Sequence, residues 1–107
     1  DWTALPADIS LVWSEEVSFN EVKFHCWYAQ DQAPTRVSLE VSSDGQNWQD
    51  VAGLQAFNWK HNDASIEEQV IGFDRVQGVK YLRIKVRDAN LRWRHFAINE
   101  VEVFDRK

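Results

Sequence analysis

Cysteine, proline and glycine are scarce here: one, two and four residues respectively in a chain of 107. With Cys26 alone no intrachain disulfide can form, which suits a cytoplasmic protein or a bacterial exported one that does without disulfides. The few glycines build no phosphate-cradling loop, and no nucleophile elbow is present. No apolar run approaches the ~18 residues of a membrane-spanning helix, and no secretory signal pattern opens the chain. His25 and Cys26 are neighbours, so on a strand they point to opposite faces, and no pair of metal ligands stands at usable spacing. Repeats, low-complexity tracts and a sustained 3.6-residue apolar period are absent as well.

Positive charge is also in the minority, 12 basic against 17 acidic residues for a net charge of −5. A negative surface repels phosphate backbones, so nucleic acid is excluded as an expected partner. Membrane insertion is excluded by the lack of an apolar span. What the chain does have is ordinary for a soluble globular protein, 44% hydrophobic and 27% charged residues, and its length fits a single domain over residues 1–107. Six tryptophans stand out, more than packing alone asks for, so some are expected to serve recognition. The abrupt start at Asp1-Trp2 suggests a module excised from a longer polypeptide.

The dominant period is two. Val22, Phe24 and Cys26 share one face of a strand, as do Val37, Leu39 and Val41, and Leu82, Ile84 and Val86. Further strands are expected near 9–13, 47–51, 66–71 and 97–104. "SSDGQNW" reads as a hairpin turn. The fold class is therefore all-β, an antiparallel β-sandwich of short strands. The last strand changes phase between Ile98 and Val101, which a β-bulge near Ile98–Glu100 would reconcile. If strands 81–87 and 97–104 form a hairpin around an 88–95 loop, Arg83 and Lys85 come to lie near Glu100 and Glu102. Two long loops, 52–65 and 88–95, and a third connection at 28–35, where Pro34 breaks any strand, are the natural places for function.

"VSLEVSSDGQNWQDVA", then "VKYLRIKV", then "INEVEVF" resembles, in that order, the discoidin or coagulation-factor type C domain family, which includes many bacterial carbohydrate-binding modules. The matching positions are Ser42 or Ser43, Asp44, Gly45 and Trp48, then Tyr81, Leu82, Arg83 and Ile84, and finally Glu100 to Val103. The resemblance implies a jelly-roll, galactose-binding-like sandwich, with Trp48 in its core. It also implies a non-catalytic module that binds carbohydrate through loops at one end. Such modules are carried by bacterial glycan-degrading enzymes, which implies an extracellular or periplasmic location. Family members have a longer N-terminal segment, of which Trp2 would be the last counterpart. Their structural calcium uses that segment and a late glutamate, here Glu100, so no cofactor is expected beyond that one open question.

A sugar site needs a flat aromatic face to stack on a pyranose and fixed donors and acceptors to read its hydroxyls. "NLRWRH" supplies both: Trp93 as the ring, with Asn90, Arg92 and His95 as readers. The alternative is that Trp93 plugs the end of the sandwich and the arginines are solvated. Trp59, His61 and Arg36 are second-rank candidates, Trp59 being either a stacking ring or a lid over the core. Trp27 is exposed or covered by a loop, and Trp13 is expected inside. Glu15-Glu16 and Glu67-Glu68 read as solvated positions, leaving no catalytic pair. The rival to sugar binding is a structural or protein-interaction sandwich that packs against other domains of its parent enzyme.

Overall fold

The computed structural model describes residues 5–107; Trp2 lies outside them. In chain order the elements are strand β1 (Ala7–Cys26), a single helical turn α1 (Ala29–Gln32), and strands β2 (Pro34–Ser42), β3 (Gln49–Ala56), β4 (Glu67–Ala89) and β5 (Glu100–Phe104). All pairings are antiparallel, in the order β3-β2-β4-β1-β5.

Two strands of 20 and 23 residues make one sheet into two layers. Residues 7–12 of β1 pair with 81–86 of β4, and residues 21–26 pair with 67–72, with irregular register between them. Bulges of this kind add a residue on one strand, bend it and sharpen its twist. The bend in β1 carries the exposed Ser14, Glu15 and Glu16. In β4 it carries Gly78 at φ 67, a left-handed conformation that glycine takes without a Cβ clash. One layer therefore holds β3, β2 and the adjoining halves of β4 and β1; the other holds the remaining halves and β5.

The period-two faces meet between these layers. Val37, Leu39 and Val41 of β2 and Leu82, Ile84 and Val86 of β4 are buried, as are Phe19, Val22, Phe24 and Cys26 of β1. Each such side chain removed from water contributes about 1.5–3 kcal/mol. Ring contacts knit the core: Phe24 lies 5.2 Å from Phe57, and Phe19 lies 5.8 Å from both Trp13 and Phe73. Burial, with the Glu67 carboxylate nearby, pushes the Cys26 thiol up to about 11, so it acts as a small apolar side chain.

The β2–β3 hairpin is where the sequence expects it, and its turn is built by side chains. Asp44 accepts hydrogen bonds from the backbone N–H groups of Gln46 and Asn47, both at 2.8 Å. Ser42 Oγ accepts from Gly45 N at 2.8 Å. Gly45, at φ 79, lies so close to the Tyr81 ring that a Cβ would stand 3.0 Å from it. The Asn47 and Gln46 amides hold the Asp44 carboxyl well below its ordinary value of 3.8. A depressed folded value means this carboxylate supports the turn above pH 3.8 and loses that role only as pH falls through the lower one. Amide exchange at Gln46 and Asn47 should therefore stay slow at pH 4, and Asp44→Ala should speed it there; equal exchange in the two proteins would show the carboxylate holds nothing.

Several expectations change. The strands foreseen near 9–13 and 22–27 are one strand, as are those near 66–71 and 81–87. Pro34 opens β2 instead of interrupting it, a position where its missing N–H costs little. No bulge is needed near Ile98–Glu100, because β5 begins only at Glu100. Strands 81–87 and 97–104 do not form a hairpin: β5 adds to β1 in the other layer. Arg83 and Lys85 accordingly turn to Glu40, at 2.8 and 3.9 Å, while Glu102 meets His25 at 2.6 Å. Trp48 is half-buried on the outer face, with the Arg83 guanidinium 3.7 Å above its ring. Trp13 is likewise only half-buried.

Candidate functional site

The turn α1 gathers both long connections at one end of the sandwich. Tyr28, which leads into it, has φ 48 and ψ 40, a left-handed backbone that strains a residue with a Cβ by about 1–3 kcal/mol. That strain is held by hydrogen bonds from either side. The 57–66 connection accepts Tyr28 N on Asp63 O at 2.7 Å and Gln30 N on His61 O at 2.9 Å. The 90–99 connection runs along the opposite side. There Asn90 N donates to Ala33 O, Arg92 N to Asp31 O and Ala97 N to Gln32 O, all within 2.8–3.0 Å.

This lacing leaves an aromatic shelf facing water. Trp27 and Trp93 are 42% and 44% exposed, and Tyr28 lies between them with ring centroids 5.8 and 5.5 Å away. His95 continues the row, 6.4 Å from Trp93. Both nitrogens of its ring face oxygens, Trp93 O at 3.2 Å and Gln32 Oε1 at 3.3 Å; a neutral ring can donate to only one of them at a time. Asn99 holds the near end, its Oδ1 accepting Trp27 N at 3.0 Å. Arg94, at φ 67, is the second residue with a Cβ in the left-handed region, so both such residues among those described flank this shelf.

The sequence candidates fall into separate groups. Trp93, Arg92 and His95 come together on the shelf. Asn90 lies behind it, its Nδ2 donating to Ala29 O at 2.9 Å, which makes it a brace for the loop. Trp59 is taken out of the candidate set: it is 4% exposed, and its indole N–H donates to Pro34 O at 2.7 Å. The ring closes the core by packing edge-on to Phe57 while that bond ties it to the start of β2. His61 is exposed on the far side of α1, where its N–H and that of Lys60 donate to the Glu67 carboxylate. Ser65 N holds the neighbouring Asp63 carboxyl below its usual range. Arg36 is exposed on β2, opposite Ala56 and Asp88. Behind α1, a polar recess of about 330 Å³ is lined by Gln30, Thr35, Asn58 and Asn90 among others.

Sequence reasoning missed Tyr28, Asp31, Gln32 and Asn99. Only Trp27 and Tyr28 had a signal, an aromatic pair at a strand end where the outward parity of Lys23 and His25 continues. Glu100 is exposed at the start of β5, and among the described residues no three His, Cys, Asp or Glu side chains gather to hold a metal ion.

The sequence pattern of the F5/8 type C domain matches residues 3–101. The chain belongs to that family. No curated protein sequence matches it. Among solved structures, this F5/8 type C domain resembles CpGH89CBM32-5 from Clostridium perfringens, determined in complex with GalNAc-β-1,3-galactose, at 19% identity and a TM-score of 0.68. The match covers 94% of this chain and 66% of that one. CBM32-1 from a family 31 glycoside hydrolase of the same organism gives 14% identity and a TM-score of 0.73, covering 96% and 72%. A glycoside hydrolase 29 family member from an unknown rumen bacterium gives 23% identity and a TM-score of 0.74, covering 94% of this chain but 18% of the enzyme. The domain thus spans just under two thirds of the first structure and less than a fifth of the last. At these identities the likeness establishes the galactose-binding-like sandwich fold. No helix among the described residues is long and apolar enough to cross a membrane.

Proposed function

We propose that this F5/8 type C domain is a non-catalytic carbohydrate-binding module of a bacterial glycan-degrading enzyme, working outside the cytoplasm. It binds sugar on the shelf formed by Trp27, Tyr28 and Trp93. The observation that carries this reading is a pair of large aromatic rings left 42% and 44% open to water on a strained, heavily hydrogen-bonded backbone. Exposed indoles cost solvation and strained backbone costs stability, and both concentrate where a ligand is bound. A planar ring packs on the C–H face of a pyranose, and Arg92, His95 and Asn99 supply polar edges around it. The sugar-bound module among the similar structures adds support. By holding the parent enzyme on its polymer, such a module raises the local substrate concentration without doing chemistry itself.

A structural or domain-packing role is the second reading. It is favoured by an open recess of about 450 Å³ between β1 and the segment entering β5, lined by Ile9, Leu11, Phe96, Ile98 and Val101. Ser10, Asn99 and Glu100 also border it, and recesses of such mixed lining also receive neighbouring domains. Calorimetric titration with a panel of neutral and acidic mono- and oligosaccharides separates the two, with the Trp27 and Trp93 indole N–H resonances followed by NMR. Binding that shifts those two resonances and leaves Trp59 still is the expected result; silence across the panel would assign the domain to packing.

A further inference from the structure

Resting on the reading of the shelf as a sugar site, we infer that its ligand is an acidic sugar, a uronate whose ring lies on Trp93 and whose carboxylate is received by Arg92. The charge distribution is the first ground. The chain carries a net charge of −5, yet the segment from Asn90 to Asn99 holds Arg92, Arg94 and His95 and no carboxylate.

The second ground is the setting of Arg92. Its side chain is 68% exposed, and its Nη1 reaches Asp31 Oδ1 at 3.3 Å. Asp31 is itself buried at 7% exposure, and its main-chain oxygen accepts Arg92 N at 3.0 Å. Asp31 therefore fixes both the backbone and the guanidinium of Arg92 while occupying one of five N–H donors. It is a positioning residue: it orients the fork and leaves most of it for another acceptor. A planar fork matches a carboxylate with two parallel hydrogen bonds, a match that no single sugar hydroxyl offers. A uronate carries that carboxylate on the same pyranose ring that an indole stacks on, so one residue of the ligand engages both Trp93 and its sequence neighbour.

The test compares an oligogalacturonate with its methyl ester, which keeps the sugar backbone and replaces each carboxylate charge by a neutral methyl ester. The acid should bind roughly tenfold more tightly or better at low salt, as a charge-assisted bidentate pair implies. Screening should narrow that ratio as ionic strength rises toward about 0.5 M. Arg92→Gln should bring the ratio close to one, and Arg92→Lys should keep part of it. An ester that binds as well as the acid, or a ratio unmoved in Arg92→Gln, overturns the inference. If neither galacturonate binds but a neutral sugar of the panel does, the acidic ligand is wrong and the sugar site stands. If nothing on the panel binds, both fall.

Discussion

Trp59→Ala should lower the stability of the domain by about 3–5 kcal/mol, the range for deleting a buried aromatic ring. Two contributions act together. The ring is 4% exposed and stands edge-on to Phe57 at 5.7 Å. Phe57 in turn packs on Phe24 in the centre of the core, so the void would not be confined to a loop. The indole N–H also leaves Pro34 O without its 2.7 Å donor, and a buried acceptor left unpaired costs about 1–3 kcal/mol. Trp59→Phe keeps the packing and removes the N–H, so it should cost much less than the alanine variant. Denaturant unfolding reads both, and because small domains have ~5–15 kcal/mol in all, the alanine variant should melt many degrees lower. A loss under about 1 kcal/mol for Trp59→Ala would mean the ring is not part of the core.

That Trp59 and Trp93 have opposite settings could not be read from their neighbourhoods in the chain, since each sits among Asn, His and basic residues. The deciding element is α1, four residues long and too short to leave a 3.6-residue signature. Period two, by contrast, was legible wherever both layers press on a strand: the apolar faces of β1, β2 and β4 are all buried as their alternation implies. The β2–β3 turn was legible because its hydrogen bonds are local, made by Ser42 and Asp44 to the next few residues. Continuity and partnering were not. Ser14, Glu15 and Glu16 look like a turn, yet they are the outer side of a bend in one strand, where a bulge tolerates polar residues without ending the ladder. The partner of β5 is set by which layer it joins, a non-local choice, so the acidic residues of its sequence were matched to the wrong basic strand. The shelf itself was half legible. Trp93, Arg92 and His95 lie together in the chain, whereas Trp27, Tyr28 and Asn99 join them only through pairing at the β1–β5 end.

Trp93→Ala should weaken sugar binding by about 1 kcal/mol or more, roughly fivefold or greater, while leaving stability close to that of the unaltered protein. The two halves of that prediction have one cause. A ring 44% open to water gives the fold less than a buried one, and its ring neighbours Tyr28 and His95 are tilted against it with centroids 5.5 and 6.4 Å away. The same openness makes its face available to a ligand, which would bury area the fold leaves unused. Trp27→Ala should act in the same direction, because both rings border Tyr28 and a sugar covering one reaches towards the other. Calorimetry on the sugar selected by the panel, with melting curves run alongside, measures both effects. A variant that melts much lower and binds as before would place Trp93 in the packing of the 90–99 loop and move the ligand off the shelf, with the recess behind α1 lined by Gln30 and Asn58 the next place to look.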